Sequence, residues 1–283
     1  MINYNIEKIL VPLDLSEPSL NALDAAMGIA ARHNASIVLL NVVESVMDKP
    51  SLESSFQNLD ILNTSNVFAA LSGTAESVTG NKPVIVREKG NVTDVVLKTA
   101  LKEKADLIVI GTHGASGIRQ GYVGSNTYQV IKHSSCPVLT IPPRRKISSF
   151  SKVLFPIRPL SGALLRYHVL CHFLSPSSII DVVGLAHKKE EINPHILDRI
   201  IAEVADHLEN DKVQAIASWS SGNTIADDVL RLTQQNNSDL IVISSMLDAT
   251  SKPYFLGPHT QKIINCSKIP LLSIKKIGVP ALA

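Results

Sequence analysis

The 283-residue chain is 45% hydrophobic and 18% charged, a length and balance that fit about two compact domains, each able to bury a core. Its 27 Lys and Arg against 25 Asp and Glu give a net charge of +2, so there is no electrostatic case for wrapping nucleic acid or coating a membrane. No apolar run approaches the roughly 18 residues of a membrane-spanning helix, and the opening residues 1–8 lack the basic and apolar regions of a secretory signal. A soluble, cytoplasmic protein is expected. The three cysteines, Cys136, Cys171 and Cys266, form no CxxC pair and no even-numbered framework, as expected where thiols stay reduced.

In chain order, a β-branched run at Lys8 to Leu13 precedes helical periodicity over Ser19 to His33, and a second strand is predicted at Ser36 to Val43. Further strands are predicted at Pro83 to Arg87, Asp106 to Ile110 and Pro137 to Ile141. These strands are almost continuously apolar, the pattern of parallel strands covered by helices on both faces. The Ser-, Asn- and Asp-rich stretch Glu44 to Thr64 predicts a mobile excursion, followed by a helix near Asn66 to Thr79.

The sequence then repeats. Asp106-Leu-Ile-Val-Ile110 recurs as Asp239-Leu-Ile-Val-Ile243, and the same offset of 133 lays Pro137 to Ile141 over Pro270 to Ile274. Ile9 to Asp14 lies over Val153 to Arg158 at an offset of 144, a net loss of 11 residues assigned to the Glu44 to Thr64 excursion. A repeat of this length suits a duplicated domain, with Pro142 to Ser151 as linker and units at 1–147 and 148–283. The fold class is therefore α/β, two tandem doubly wound parallel-sheet domains.

Gly111-Thr-His-Gly114 follows the Asp106 to Ile110 strand directly, and Gly124-Ser125 opens a helical segment ten residues later. Glycines at the carboxyl end of a buried strand let backbone N–H groups approach an anion, which a following helix N-terminus also favours; they also simply make turns. Asp14 ends the first strand, and in a 3-2-1-4-5 strand order it would face Gly111 across the crevice where such sheets bind ligands. Its carboxylate suits a ribose hydroxyl; it can equally cap the next helix, in competition with Ser16.

Together Gly111, Gly114, Gly124 and Ser125 match the Gly-x2-Gly-x9-Gly-Ser/Thr motif of nucleotide-binding universal stress proteins, and both halves of the chain resemble that family. The resemblance implies the adenine nucleotide alpha hydrolase-like fold with strand order 3-2-1-4-5. It implies ATP, with or without Mg2+, in the first copy, with Asp14 at the ribose, the backbone of Val42 at adenine, and Pro12 and Leu13 also among the nucleotide-binding residues. Gly111, Gly114, Ala115, Gly124, Ser125 and Asn126 would surround the phosphates, with Gly90 a further candidate. It also implies that the domains pair through their last strands, Pro137 to Ile141 and Leu271 to Lys275, making the chain its own pseudo-dimer; a homodimer of such chains is a further expectation.

The second copy departs from the motif: Asp14 becomes Arg158, Gly111 becomes Ser244, Gly114 becomes Leu247 and Ser125 becomes Pro258, while Gly124 is kept as Gly257. Leu247 adds bulk and Pro258 removes a backbone donor, so this copy is expected to keep the fold without the nucleotide. No Gly-x4-Gly-Lys-Ser/Thr loop exists, and Arg119 reads as a solvated side chain before it reads as a phosphate ligand. His168 and His172 stand four apart in a helical stretch as metal ligands would, but no third ligand is identifiable; His113 reads as a loop histidine near the phosphates. The expected function is a nucleotide-dependent switch or sensor in stress response, the alternatives being a slow ATPase or phosphotransferase using the same site, or a structural scaffold.

Overall fold

The computed structural model describes residues 4–43, 54–112, 123–143, 149–157, 163–175, 177–187, 194–210, 213–222, 224–244 and 257–274. The first half alternates β1 (Lys8–Pro12), α1 (Glu17–His33), β2 (Ser36–Val43), α2 (Ser54–Thr79), β3 (Val84–Lys89), α3 (Val92–Glu103), β4 (Leu107–Gly111), α4 (Ser125–His133) and β5 (Val138–Ile141). The second repeats the pattern with β6 (Lys152–Ile157), α5 (Ala163–Leu170), β7 (Ile179–His187), α6 (Pro194–Asn210), β8 (Gln214–Gly222), α7 (Ile225–Gln235), β9 (Leu240–Ser244), α8 (Pro258–Cys266) and β10 (Leu271–Ile274). A 3-10 turn, Cys171–Phe173, extends α5.

All the strands lie in one ten-stranded sheet of order β3-β2-β1-β4-β5-β10-β9-β6-β7-β8. Each half therefore has the predicted 3-2-1-4-5 order, and within each half every pairing is parallel. The halves join where β5 meets β10 antiparallel, with Leu139 opposite Leu272. Because side chains alternate along a strand, Ile9 and Val11 enter one core while Leu10 enters the other, and each core runs through both halves. This is why the strand sequences are continuous apolar runs and not alternating ones.

The repeat offsets hold in the sheet register. Ile9 pairs with Leu107 in the first half and Val153 with Leu240 in the second, at the offsets of 144 and 133 read from the sequence. The repeated aspartate has a structural task in each copy. Asp106 accepts the backbone N–H of Glu7 and Lys8, and Asp239 accepts those of Ser151 and Lys152, pinning the entry of one central strand to the entry of its neighbour.

The predicted excursion is shorter than expected. Residues 44–53 lie outside the described residues, but Ser54 to Thr64 is helical and continuous with the expected helix. Its Ser- and Asn-rich composition obscures apolar residues spaced by three at Phe56, Leu59 and Leu62. Beyond this, α2 is anchored by the buried Phe68 and Ala75.

At the join, His33 Nε2–H, from the last turn of α1, donates to the backbone carbonyl of His172 at 2.7 Å. Tyr4 meets the His172 ring edge-on at 5.4 Å and donates its hydroxyl to the carbonyl of Asp106. Burial, then the neighbouring His33, pushes the half-buried His172 imidazole below its ordinary range, against an opposing hydrogen bond with the Tyr4 backbone. The folded state thus binds this proton less tightly than the unfolded chain does. The stabilisation is complete above the ordinary imidazole value of about 6.5 and is lost as pH falls below it through the depressed folded-state value. Melting curves at descending pH are expected to show a smaller acid-side loss of Tm for His172→Gln than for the parent chain.

Candidate functional site

The first half ends β1 in a strained turn. Pro12 and Leu13 are buried, whereas Asp14 is exposed beyond the strand. Asp14 Oδ1 accepts the Ser16 backbone N–H at 3.0 Å and the Ser16 hydroxyl at 2.5 Å. This Asx turn carries Leu15 at φ 63, a left-handed conformation that a branched side chain rarely adopts and that the two hydrogen bonds offset. Ser16 occupies the N-cap of α1, yet its hydroxyl is turned to Asp14 and makes no cap bond. The competition between Asp14 and Ser16 for the cap is resolved by their bonding to each other.

Alongside, β2 outruns β1. The ladder ends at Pro12 opposite Leu40, with one further bond from the Leu13 N–H to the Leu40 carbonyl at 2.8 Å. Since backbone groups in a strand alternate sides, Val42 directs its N–H and C=O the same way as Leu40, past the end of β1. Among the described residues neither group has a backbone partner on that side. The neighbouring Asn41 side chain donates to the Leu13 carbonyl at 3.4 Å and accepts from Arg87 Nε at 3.1 Å. A donor and an acceptor side by side on one main-chain segment match the edge of an adenine ring.

Across the sheet, the register of β1 with β4 carries on to bring Leu13 level with Gly111. A Cβ at Gly111 would lie 2.8 Å from the Pro18 carbonyl carbon and 2.9 Å from its Cβ. The glycine is therefore required by the first turn of α1 crossing the strand end, a reason different from both the anion approach and the simple turn expected from sequence. Gly90 is also demanded by the backbone, at φ 154 with Val95 Cγ2 3.0 Å from a built Cβ, and its N–H donates to Val43.

The start of α4 is tied to the end of β4 twice. Gly124 N–H donates to the Thr112 carbonyl at 2.7 Å, and the buried Thr127 hydroxyl donates to the Gly111 carbonyl at 2.8 Å. Gly124 is the N-cap and supplies no side-chain cap, so the first-turn N–H groups from Ser125 onward point out of the helix beside the strand end. Ser125 is exposed, and Asn126 accepts the Thr93 hydroxyl at 3.3 Å through its carbonyl oxygen, which turns that oxygen toward α3. Gly114 and Ala115, with His113 and Arg119, lie outside the described residues.

Sequence reading overlooked Thr127, Asn41 and Leu15. Thr127 was legible in principle, because the offset of 133 places Thr260 over it and Thr260 is fully buried. Asn41 takes its role from neighbours on other strands, and Leu15 from the Asp14–Ser16 turn that holds it in a left-handed conformation.

In the second half β9 ends at Ser244, and α8 begins at Pro258 after the N-cap Gly257, matching β4 and α4 position for position. Pro258 removes the N–H that Ser125 keeps; Arg158 and Leu247 lie outside the described residues. His168 and His172 take separate surroundings because α5 gives way to the 3-10 turn between them: His168 lies beside Tyr167 and His207, and His172 beside Tyr4 and His33. A concavity lined by Thr233, Ser238, Cys266 and Lys268 sits at the carboxyl ends of α7 and α8, the edge of the sheet opposite the β-strand ends described above. Among the described residues no helix is long and apolar enough to cross a membrane.

A model of the universal stress protein family matches residues 5–142. A universal stress protein of Methanocaldococcus jannaschii is 32% identical over 143 residues, covering 50% of this chain and 84% of that protein. Another, from Bacillus subtilis, is 31% identical over 152 residues, covering 47% of this chain and 97% of the relative. Over the whole length, the crystal structure of a universal stress protein from Archaeoglobus fulgidus shares the fold, with a TM-score of 0.74 at 17% identity, covering 96% of this chain and 97% of the other. The sequence kinship in the first half and the shared two-half architecture agree: the chain belongs to the universal stress protein family.

Proposed function

We propose that the first half binds ATP, with or without Mg2+, and that occupancy makes the chain a nucleotide-dependent switch in stress response. The observation that carries this reading is the uncapped first turn of α4, held against the end of β4 by Thr127 and Gly124, which offers backbone donors and the positive end of a helix to phosphates. The overhanging backbone of Val42 supplies the complementary edge for adenine, two strands away, and Asp14 on its turn accepts from ribose hydroxyls. Pro12 and Leu13 form the floor under the sugar. Gly114 and Ala115 complete the phosphate loop, with Gly124, Ser125 and Asn126 at its helical end. The second half, carrying Pro258 in place of Ser125, supports the fold and takes no nucleotide.

Calorimetric titration with ATP, AMP and GTP tests this. One ATP per chain is expected, with affinity about tenfold lower in Asp14→Ala, the loss of roughly one hydrogen bond to a charged group. Absence of adenine nucleotide binding would overturn the reading and leave the fold and family as they stand.

A further inference from the structure

The second half buries a cation that the first half lacks. Arg166, one turn into α5, is 7% exposed, and the offset of 144 places it over Ala22 of α1, which is fully buried. Its guanidinium carbon lies 5.6 Å from the centre of the Phe155 ring on β6. Its Nε has no hydrogen-bond partner, and no carboxylate pairs with it among the described residues. Burial draws the guanidinium down to about 10, which still leaves it charged at neutral pH. A buried, unpaired cation is costly, and the phenyl face compensates only part of the lost hydration.

Its direction follows from helix geometry. α5 follows β6 and packs back across the sheet, so its N-terminus lies at the carboxyl edge of the strands. Side chains of a helix tilt toward its N-terminus, which aims Arg166 along the Phe155 ring toward that edge. The first half presents Asp14, a carboxylate, at the corresponding edge; Arg158, its counterpart, lies outside the described residues and forms no part of the site.

We propose that Arg166 is the anchor of an oxyanion site in the second half, independent of the nucleotide site proposed for the first: a phosphate or carboxylate group enters from the carboxyl edge of β6 and supplies the counter-ion that none of the described residues provides. The planar guanidinium, over the Phe155 ring at 5.6 Å, has an N–H fork that can bind two oxygens of one anion, a geometry that lysine cannot reproduce.

The test uses the full chain with inorganic phosphate and, separately, acetate, followed by calorimetry and thermal melting. At least one of the two anions is expected to bind and raise Tm, and the one that binds identifies the group recognised. Affinity is expected to fall at least tenfold in Arg166→Met and to be retained in Ser125→Pro, which alters only the first-half helix start. Should Arg166→Met fail to fold, Arg166→Lys, which keeps the charge and loses the fork, is expected to show the same weakening. Failure of both anions to bind the parent chain would overturn the site, as would binding unchanged in the Arg166 variants or lost in Ser125→Pro. Because these readouts need no ATP, the site stands or falls separately from nucleotide binding in the first half.

Discussion

Replacing Ser125 by proline is expected to lower affinity for ATP by about 10- to 100-fold while leaving the melting temperature nearly unchanged. The estimate is the loss of one hydrogen bond to a charged phosphate, about 1.5–3 kcal/mol. Ser125 is the first residue of α4 and Gly124 its N-cap, so the substitution removes an N–H that the helix itself never uses. Proline is well accommodated at a first helical position, because its fixed φ is already helical. The chain makes the same experiment in its other half, where α8 begins with Pro258 after Gly257 and packs Ile263 and Ile264 into the core. Calorimetry against ATP, with thermal melting as the control, separates the two effects. A variant that binds ATP as the parent does would remove the α4 terminus from the proposed phosphate contacts, and one that melts early would show that the site and the fold are not separable at this position.

The second large effect concerns stability. Gly111→Ser is expected to destabilise the chain by about 2–3 kcal/mol, the upper range for forcing extra atoms into a packed position. The new Cβ would lie 2.8 Å from the backbone of Pro18, and backbone cannot rotate aside as a flexible side chain would. The sequence of the second copy changes both positions together, although Gly162 lies outside the described residues. It carries Ser244 at the Gly111 position, and at the Pro18 position, by the offset of 144, it carries Gly162. The double change Gly111→Ser with Pro18→Gly is accordingly expected to recover part of the loss, although glycine near a helix start adds its own entropic cost. Denaturant unfolding of the two single variants and the pair gives the coupling directly. Additive losses would mean that the Pro18 backbone, which Pro18→Gly leaves in place, and not the proline ring excludes the serine side chain.

These predictions show where sequence reading succeeded and where it stopped. β2 was predicted to the residue, and β1, β4 and β5 to within one residue at each end, because buried parallel strands are apolar on both faces and bounded by charged or turn-forming residues. The Asp106 and Asp239 repeat fixed the offset that aligns β4 with β9 and β5 with β10 in the folded sheet. The Ser54 to Thr64 part of α2 is not legible from composition, because its Ser and Asn content reads as a loop although its apolar residues keep a helical spacing. In the candidate site, Gly111, Gly124, Ser125 and Asp14 were marked by their positions after strands and before helices. Ser16, the partner of Asp14, was marked as a competing cap, but Pro18 and Thr127, which meet Gly111, were not, because they are ordinary residues for the elements that carry them.

Taken by itself, the sequence determined that two copies of one α/β unit lie in tandem, which segments are strands, and that the turn-forming and polar residues cluster at strand ends in the first copy and are replaced in the second. These properties are local or periodic, and a repeat makes them visible twice. Only the tertiary structure decided that Gly111 answers to the approach of α1, that β2 overruns β1 and carries the Val42 backbone past its end, and that Arg166 is buried beside Phe155 with no counter-ion among the described residues. Each depends on which element crosses which, and how far, and that is set by packing between segments distant in the chain and not by the residues on either side.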